Sequence, residues 1–452
     1  MDKVGNEERL KSAHETIKST IGYKYITSLF DVGSFNGIDC YAKSGDAFAE
    51  AVAGYGTIEG CPVYAFAQSS DIEHGAMSKA QSAKIKKVYD LAAKTGAPVI
   101  GIFDSCGGRL SEGSDMLAAY GEILLSMNTL SGVVPQISLI LGPCVGTSAM
   151  IAEGADFVVM SDKAELTLAT NGTGGSAEEA AKAGTCHLYE KDEESAFAAV
   201  RRLVSLLPSN NLAGAPVLNI DGIESAIKLT KDSDLKQVIH AVCDNESLME
   251  LSEHFGKSAI TGLGEMDGSV VGMVALNGLV DADSCTKASR FISFCDAFSL
   301  PIVTFVDAQE FTSLREASKL SSVYSEATTA KITVITGAAY GPVYIAVAGR
   351  GANADYTMAW PNAVISPLAP ETAAVFLWNH RLAASEKPVE DRTKLIEEYK
   401  MTEASPFGAA ANGYIEDIVN PEDTRVRIIA NLQMLSSKRV SGLPKKHSNI
   451  LI

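Results

Sequence analysis

Two short glycine-bearing stretches hold the residue types best suited to chemistry. One is Asp104-Ser-Cys-Gly-Gly-Arg-Leu-Ser-Glu-Gly113, the other Gly142-Pro-Cys-Val-Gly-Thr-Ser-Ala149. The first directly follows a strand-like apolar run and the second directly precedes an alanine-rich, helix-like run, so both are read as strand-to-helix junctions. Glycine lets a backbone approach a ligand closely, and the first N–H groups of a helix have no partner inside it. Together such groups can aim donors at a developing negative charge, as an oxyanion hole does. The same glycines also suit plain tight turns. What favours a functional role is recurrence: Gly337-Ala-Ala-Tyr-Gly-Pro-Val-Tyr344 sits at a matching junction later in the chain. Pro342 has no N–H, so one donor is missing there, although proline in a first helical turn is structurally ordinary. Tyr340 and Tyr344 either line a pocket or fill core, and the glycine between them favours the pocket.

Side-chain chemistry is sparse. There is no GxSxG elbow, and His14, His74, His187, His240, His254, His380 and His447 show no pairing with a nearby Cys or Ser motif. No HExxH pair, EF-hand loop or GxxxxGK[ST] loop occurs, so neither a metal nor bound ATP is expected. Glu112 and Asp104 are the only carboxylates that stand out, and both read as acceptors for turn N–H groups. Lys84, Lys87 and Arg109 are candidates for ligand phosphates; solvated helix faces are the alternative for the lysines.

The elements that must position these turns come as a duplicated set. Pro98 to Asp104 is matched by Pro301 to Asp307, each a proline, five mostly apolar residues and an aspartate. Nine residues separate Ile137 from Gly146 and Ile332 from Gly341. The runs Ala155–Met160 and Ala354–Ala359 follow, and Gly54–Gly60 mirrors Gly262–Gly268 upstream. Short continuous apolar strands alternating with helices predict an α/β layered fold, present twice. The spacing predicts a helix over 80–93 with Ile85, Val88, Leu91 and Ala92 near one face and Lys84, Lys86 and Lys87 on or beside the other. The stretch Pro208–Pro216 reads as the boundary, giving domains 1–215 and 216–452.

Composition narrows the function class. The chain has 452 residues, 46% of them hydrophobic, enough for a large core. Against 55 acidic residues stand 38 Lys and Arg, a net charge of −17, which argues against general nucleic-acid binding. The eight cysteines are dispersed without a CxxC pair, fitting reduced thiols in the cytosol. The polar start is not expected to be a signal peptide, and no apolar run is long enough to span a membrane. The basic tail after Pro444 reads as a surface or partner-facing segment.

The glycine stretches and the duplication together resemble a known family. The matching text is Gly96-Ala-Pro-Val-Ile-Gly101 through Glu112-Gly113, Ser131–Ser138 and Gly142-Pro-Cys144. It continues with Ala288-Ser-Arg-Phe291, Phe294-Cys-Asp-Ala-Phe298, Pro301–Asp307, Val334-Ile-Thr336, Ala339-Tyr-Gly341 and Ala359-Trp-Pro361. Similarity runs from about Phe30 to the tail at Lys445–Ile450. The chain resembles the carboxyltransferase subunits of biotin-dependent acyl-CoA carboxylases and decarboxylases. That resemblance implies a tandem crotonase-like fold, each half a ββα-spiral, with a site shared between unlike halves of two subunits. It implies carboxylate transfer between biotin N1 and the α-carbon of an acyl-CoA through a thioester enolate.

Carried over by position, Gly146 and Thr147 hold the thioester oxygen, with Ser148 able to substitute. Gly107 and Gly108 shape the same wall. Gly341, Pro342 and Val343 fall where the family holds the biotin ureido oxygen, and Ile345 lines the acyl or biotin pocket. Arg109, Tyr340 and Lys84 join the substrate-binding candidates. Thr147 and Pro342 each replace a family glycine, and the loop after Asp307 lacks the family's Pro-Gly-Phe. No Met-Lys-Met biotin acceptor is present. The resemblance therefore implies a separate biotin carboxyl carrier protein, together with a biotin carboxylase or a membrane decarboxylase subunit. It also implies a homo-oligomer, a dimer or a trimer of dimers, in the cytoplasm or peripheral to a membrane complex. The alternatives are a non-catalytic acyl-CoA-binding subunit and a biotin-independent crotonase-type enzyme.

Overall fold

In the computed structural model, the described residues are 5–45, 47–48, 50–168, 175–218, 225–440 and 442–449. The chain divides into two compact units, Met1–Gly214 and Ala215–Ile452. Each unit is built on its own eight-stranded sheet, and the two sheets have the same strand order.

In the first, Ala51–Ile58 and Cys61–Gln68 form an antiparallel hairpin. Val99–Ser105, Gln136–Val145, Phe157–Ser161 and Leu188–Glu190 then add in parallel. Glu165–Thr167 pairs with the end of Gln136–Val145. In the second, the hairpin is Ala259–Met266 with Ser269–Val280. Ile302–Phe311, Lys331–Tyr340, Tyr356–Ala359 and Asp417–Ile418 follow in parallel, and Val364–Ser366 pairs with the end of Lys331–Tyr340. This is the duplicated crotonase-like α/β fold expected from the repeats.

The parallel strands read as unbroken apolar runs because both faces are covered; every residue of Val99–Ser105 is buried. Helix Lys79–Thr95 starts where the Ser78 hydroxyl accepts the Gln81 N–H, and it buries Ile85, Val88 and Ala92. Lys84 lies on this buried face too, 3% exposed, rather than on the solvent side. Its counterpart is Lys287, the sixth residue of helix Ala282–Ala297 as Lys84 is of Lys79–Thr95.

Each hairpin turn is pinned by one carboxylate. Asp31 accepts the N–H groups of Glu59 and Gly60 and pairs with Arg201 at 2.8 Å. Asp244 accepts those of Asp267 and Gly268 and pairs with Arg425 at 2.6 Å. Even the second guanidinium contact repeats: Arg201 donates to the Leu29 carbonyl and Arg425 to the Val242 carbonyl. Among the described residues no helix is long and apolar enough to cross a membrane. All eight cysteines are free thiols.

Candidate active site

The two glycine turns of the first unit end neighbouring parallel strands, with Ser105 in register with Cys144. A Cβ placed on Gly107 would lie 3.6 Å from Val145 Cγ2, so the turns lie against one another. On its other side the Gly107–Gly108 turn is held by Met77. The Met77 N–H donates to the Gly107 carbonyl at 2.8 Å and the Arg109 N–H to the Met77 carbonyl at 2.9 Å. Glu112 accepts the Lys79 N–H at 2.7 Å, the turn-acceptor role its position suggested. The Gly107 N–H turns back to Ser105 Oγ, whereas the Gly108 N–H has no acceptor among the described residues.

Gly146 stands at φ 63°, ψ −128°, immediately before helix Thr147–Glu153. This backbone state excludes most side chains and swings the chain out of the strand into the helix. The Gly146 N–H is already spent: it donates to the Thr167 carbonyl at 2.8 Å. The N–H groups of Thr147 and Ser148 have no acceptor among the described residues, because they open the helix. Of the three residues expected here, Thr147 and Ser148 keep open N–H groups and Gly146 makes the turn. Ser148 offers its N–H rather than its hydroxyl, which is buried against Tyr120 Oη at 3.0 Å.

The second unit repeats this with one difference. Gly341, at φ 42°, precedes helix Pro342–Val347, and its N–H donates to the Ser366 carbonyl at 2.8 Å. Pro342 has no N–H, so Val343 is the first open donor and Tyr344 the second. Ile345, 58% exposed, projects from this helix. Tyr340 is half-buried, and burial, with Glu371 and Asp307 nearby, pushes its hydroxyl up to about 12. Tyr344 does not line an open pocket with its hydroxyl, which is tied to the Tyr414 carbonyl at 2.7 Å.

Below each turn lies an aspartate, Asp104 buried and Asp307 partly so, that sequence reasoning left unconnected to its true partners. Asp307 accepts the Ala338 N–H at 2.7 Å. At the matching place in the first unit stands Pro143, which has no N–H to give. Asp104 instead accepts from Ser70 Oγ at 2.5 Å and Tyr25 Oη at 3.4 Å, so its partners are hydroxyls and not turn N–H groups. Burial raises its pKa above the ordinary carboxylate value, while the two hydroxyls oppose the shift. Tyr25 and Ser70 lie 79 and 34 residues away, with no local signal to connect them.

The cationic candidates separate. The Arg109 guanidinium pairs with the fully buried Glu50, whose other oxygen accepts from Ser78 Oγ. It ties the glycine turn to the start of the hairpin. Lys87 pairs with Asp39 at 2.6 Å. Lys84 donates to the Ala51 carbonyl and faces a separate cavity. Among the described residues no cluster of His, Cys, Asp and Glu suits a metal ion.

Two like sheets in a doubled ββα architecture, each with open main-chain donors at the start of a short helix, define a tandem crotonase-like fold. The chain belongs to the carboxyl transferase domain family, whose profile matches residues 19–450. It is 35% identical to the carboxyltransferase subunit of propionyl-CoA carboxylase from Haloferax mediterranei, covering 99% of this chain and 96% of that one. It is equally 35% identical, over the same shares, to the α subunit of methylmalonyl-CoA decarboxylase from Veillonella parvula. Among solved structures, transcarboxylase 12S with methylmalonyl-CoA and methylmalonic acid bound superposes with a TM-score of 0.91, at 28% identity over 100% of both chains. The protein is the carboxyltransferase component of a biotin-dependent acyl-CoA carboxylase or decarboxylase.

Proposed function

We propose that this chain moves carboxylate between N1 of a biotin carried on a separate protein and the α-carbon of a short acyl-CoA. The first unit handles the thioester and the second the ureido group. One observation carries the proposal: the donors of Thr147 and Ser148 are unspent at the end of a buried strand, beside the equally unspent N–H of Gly108. They hold the thioester oxygen as its α-carbon becomes an enolate, so charge gathers where peptide dipoles already point. A single donor of this kind is worth roughly 2.7–4 kcal/mol of barrier. No side-chain acid or base is required of the protein. Biotin, when bound, supplies the nitrogen that gives or receives the carboxylate and acts as the base. The donors left in the second unit fit its ureido oxygen, with Val343 and Tyr344 N–H orienting it. Exposed and apolar, Ile345 favours a small or straight acyl group.

The half-reaction is reversible, so the partner sets its direction: a biotin carboxylase drives carboxylation, a membrane decarboxylase subunit the reverse. The relatives are named as single subunits of a carboxylase and a decarboxylase, which supports a carrier on another chain. The solved transcarboxylase 12S relative is described as a hexamer, supporting a homo-oligomer here, a dimer or trimer of dimers.

Purified protein incubated with methylmalonyl-CoA and free biotin should release carboxylate from the thioester, and Thr147→Pro should slow it. Pro342 favours a second reading, an acyl-CoA-binding subunit that no longer transfers. Tight methylmalonyl-CoA binding without carboxylate loss, even with a biotinylated carrier supplied, would establish that reading instead.

A further inference from the structure

The first unit contains a cavity of about 220 Å³ that none of residues 105–113 or 146–148 lines. Its apolar wall includes Ile17, Phe35, Ile38 and Phe48, and its basic groups are His14, Lys18 and Lys84. Among the described residues no Asp or Glu lines it, in a chain of net charge −17.

Lys84 is the group that asks for an occupant. It is 3% exposed, and its ammonium makes one hydrogen bond among the described residues, to the Ala51 carbonyl at 2.7 Å. An ammonium has three donors, and leaving a buried charge partly unpaired is strongly unfavourable. The duplication supplies the control. Lys287, at the same helical position of the second unit, donates to three carbonyls: Ser252 at 2.9 Å, Phe255 at 3.1 Å and Ala259 at 2.9 Å. Ala51 and Ala259 both begin the first hairpin strand, so this acceptor is shared. The other two have no equivalent around Lys84, and the cavity lies beside it. Among the described residues, nearby carboxylates do not fill the gap. Asp39 is engaged by Lys87, and Glu50 by Arg109 and Ser78.

We propose that this cavity binds a short monocarboxylate, its two oxygens on the spare donors of Lys84 and its hydrocarbon end against Phe35, Ile38 and Phe48. Two vacant donors match the two oxygens of a carboxylate, and the volume lies below the roughly 300–1,000 Å³ of drug-sized pockets, which limits the chain to a few carbons. Lys18, exposed on helix Asn6–Ser19, adds positive potential at the rim.

The test uses the full chain without acyl-CoA, so its result does not depend on the transfer reaction. Butyrate binding is followed by calorimetry or ligand-observed NMR, with butyramide as the neutral isostere. Butyrate should bind saturably, at least tenfold more weakly to Lys84→Met and several-fold more weakly to Lys18→Glu, and butyramide should not compete. Lys18 is a solvent-facing helix residue, so that variant reports even where Lys84→Met fails to fold. Absence of saturable butyrate binding, equal binding by Lys84→Met, or competition by butyramide would each overturn the assignment.

Discussion

Among the donors that open the two matching helices, one hydrogen atom differs: the one on the backbone nitrogen of Thr147, absent at Pro342. Proline is favoured in the first helical position, as Pro342 itself demonstrates. Thr147→Pro should therefore leave the fold intact and delete only a donor. It should lower kcat for transfer from methylmalonyl-CoA about 10²-fold, the effect of one oxyanion donor, with an unchanged thermal melt. Pro342→Ala does the opposite, restoring an N–H and raising kcat/KM for biotin while leaving the acyl-CoA KM alone. The supporting residues have their own requirement. A Cβ on Gly142 would overlap Asp104 Oδ1, and one on Gly337 would overlap Asp307 Oδ1. Gly142→Ala and Gly337→Ala should each destabilise by about 1–3 kcal/mol in urea denaturation, the usual cost of overpacking.

At the scale of elements, the duplicated hairpins show both what a sequence discloses and what it hides. Asp31 is held well below the ordinary carboxyl range, first by the Gly60 N–H and then by Arg201, the Glu59 N–H and Thr57. A depressed folded value means the stabilisation is whole above the unfolded value of about 3.9 and drains away as pH falls toward the folded one. Asp31→Asn should cost about 2 kcal/mol at pH 7, and the deficit should shrink as denaturation is repeated from pH 4 downward. The parallel strands and their duplication were legible because buried strands are unbroken apolar runs and the repeats preserve spacing. The engagement of the Gly146 and Gly341 N–H groups was not. It depends on Glu165–Thr167 and Val364–Ser366, three-residue strands too short to show a period. The Arg109–Glu50 pair spans 59 residues, and no local pattern distinguishes it from an arginine awaiting phosphate. Lys84 was misplaced because helical period gives a face but not what covers it.

For the whole molecule, duplication has produced two units with separate sheets and separate cores, so each can be altered without rebuilding the other. The first retains the fuller set of helix-opening donors and the second one fewer, in keeping with the proposal that the first takes the enolate and the second the ureido oxygen. If the units serve different substrates, changes in them must combine without interaction. The doubly substituted Thr147→Pro/Pro342→Ala chain should show the acyl-CoA defect of one variant and the biotin gain of the other. Its kcat/KM for the complete transfer should equal the product of the single effects, within the roughly 0.3–0.5 kcal/mol seen for independent sites. A larger coupling energy in that cycle, measured with saturating carrier and then with free biotin, would mean that one turn serves both oxygens and that the division of labour between the repeats is wrong.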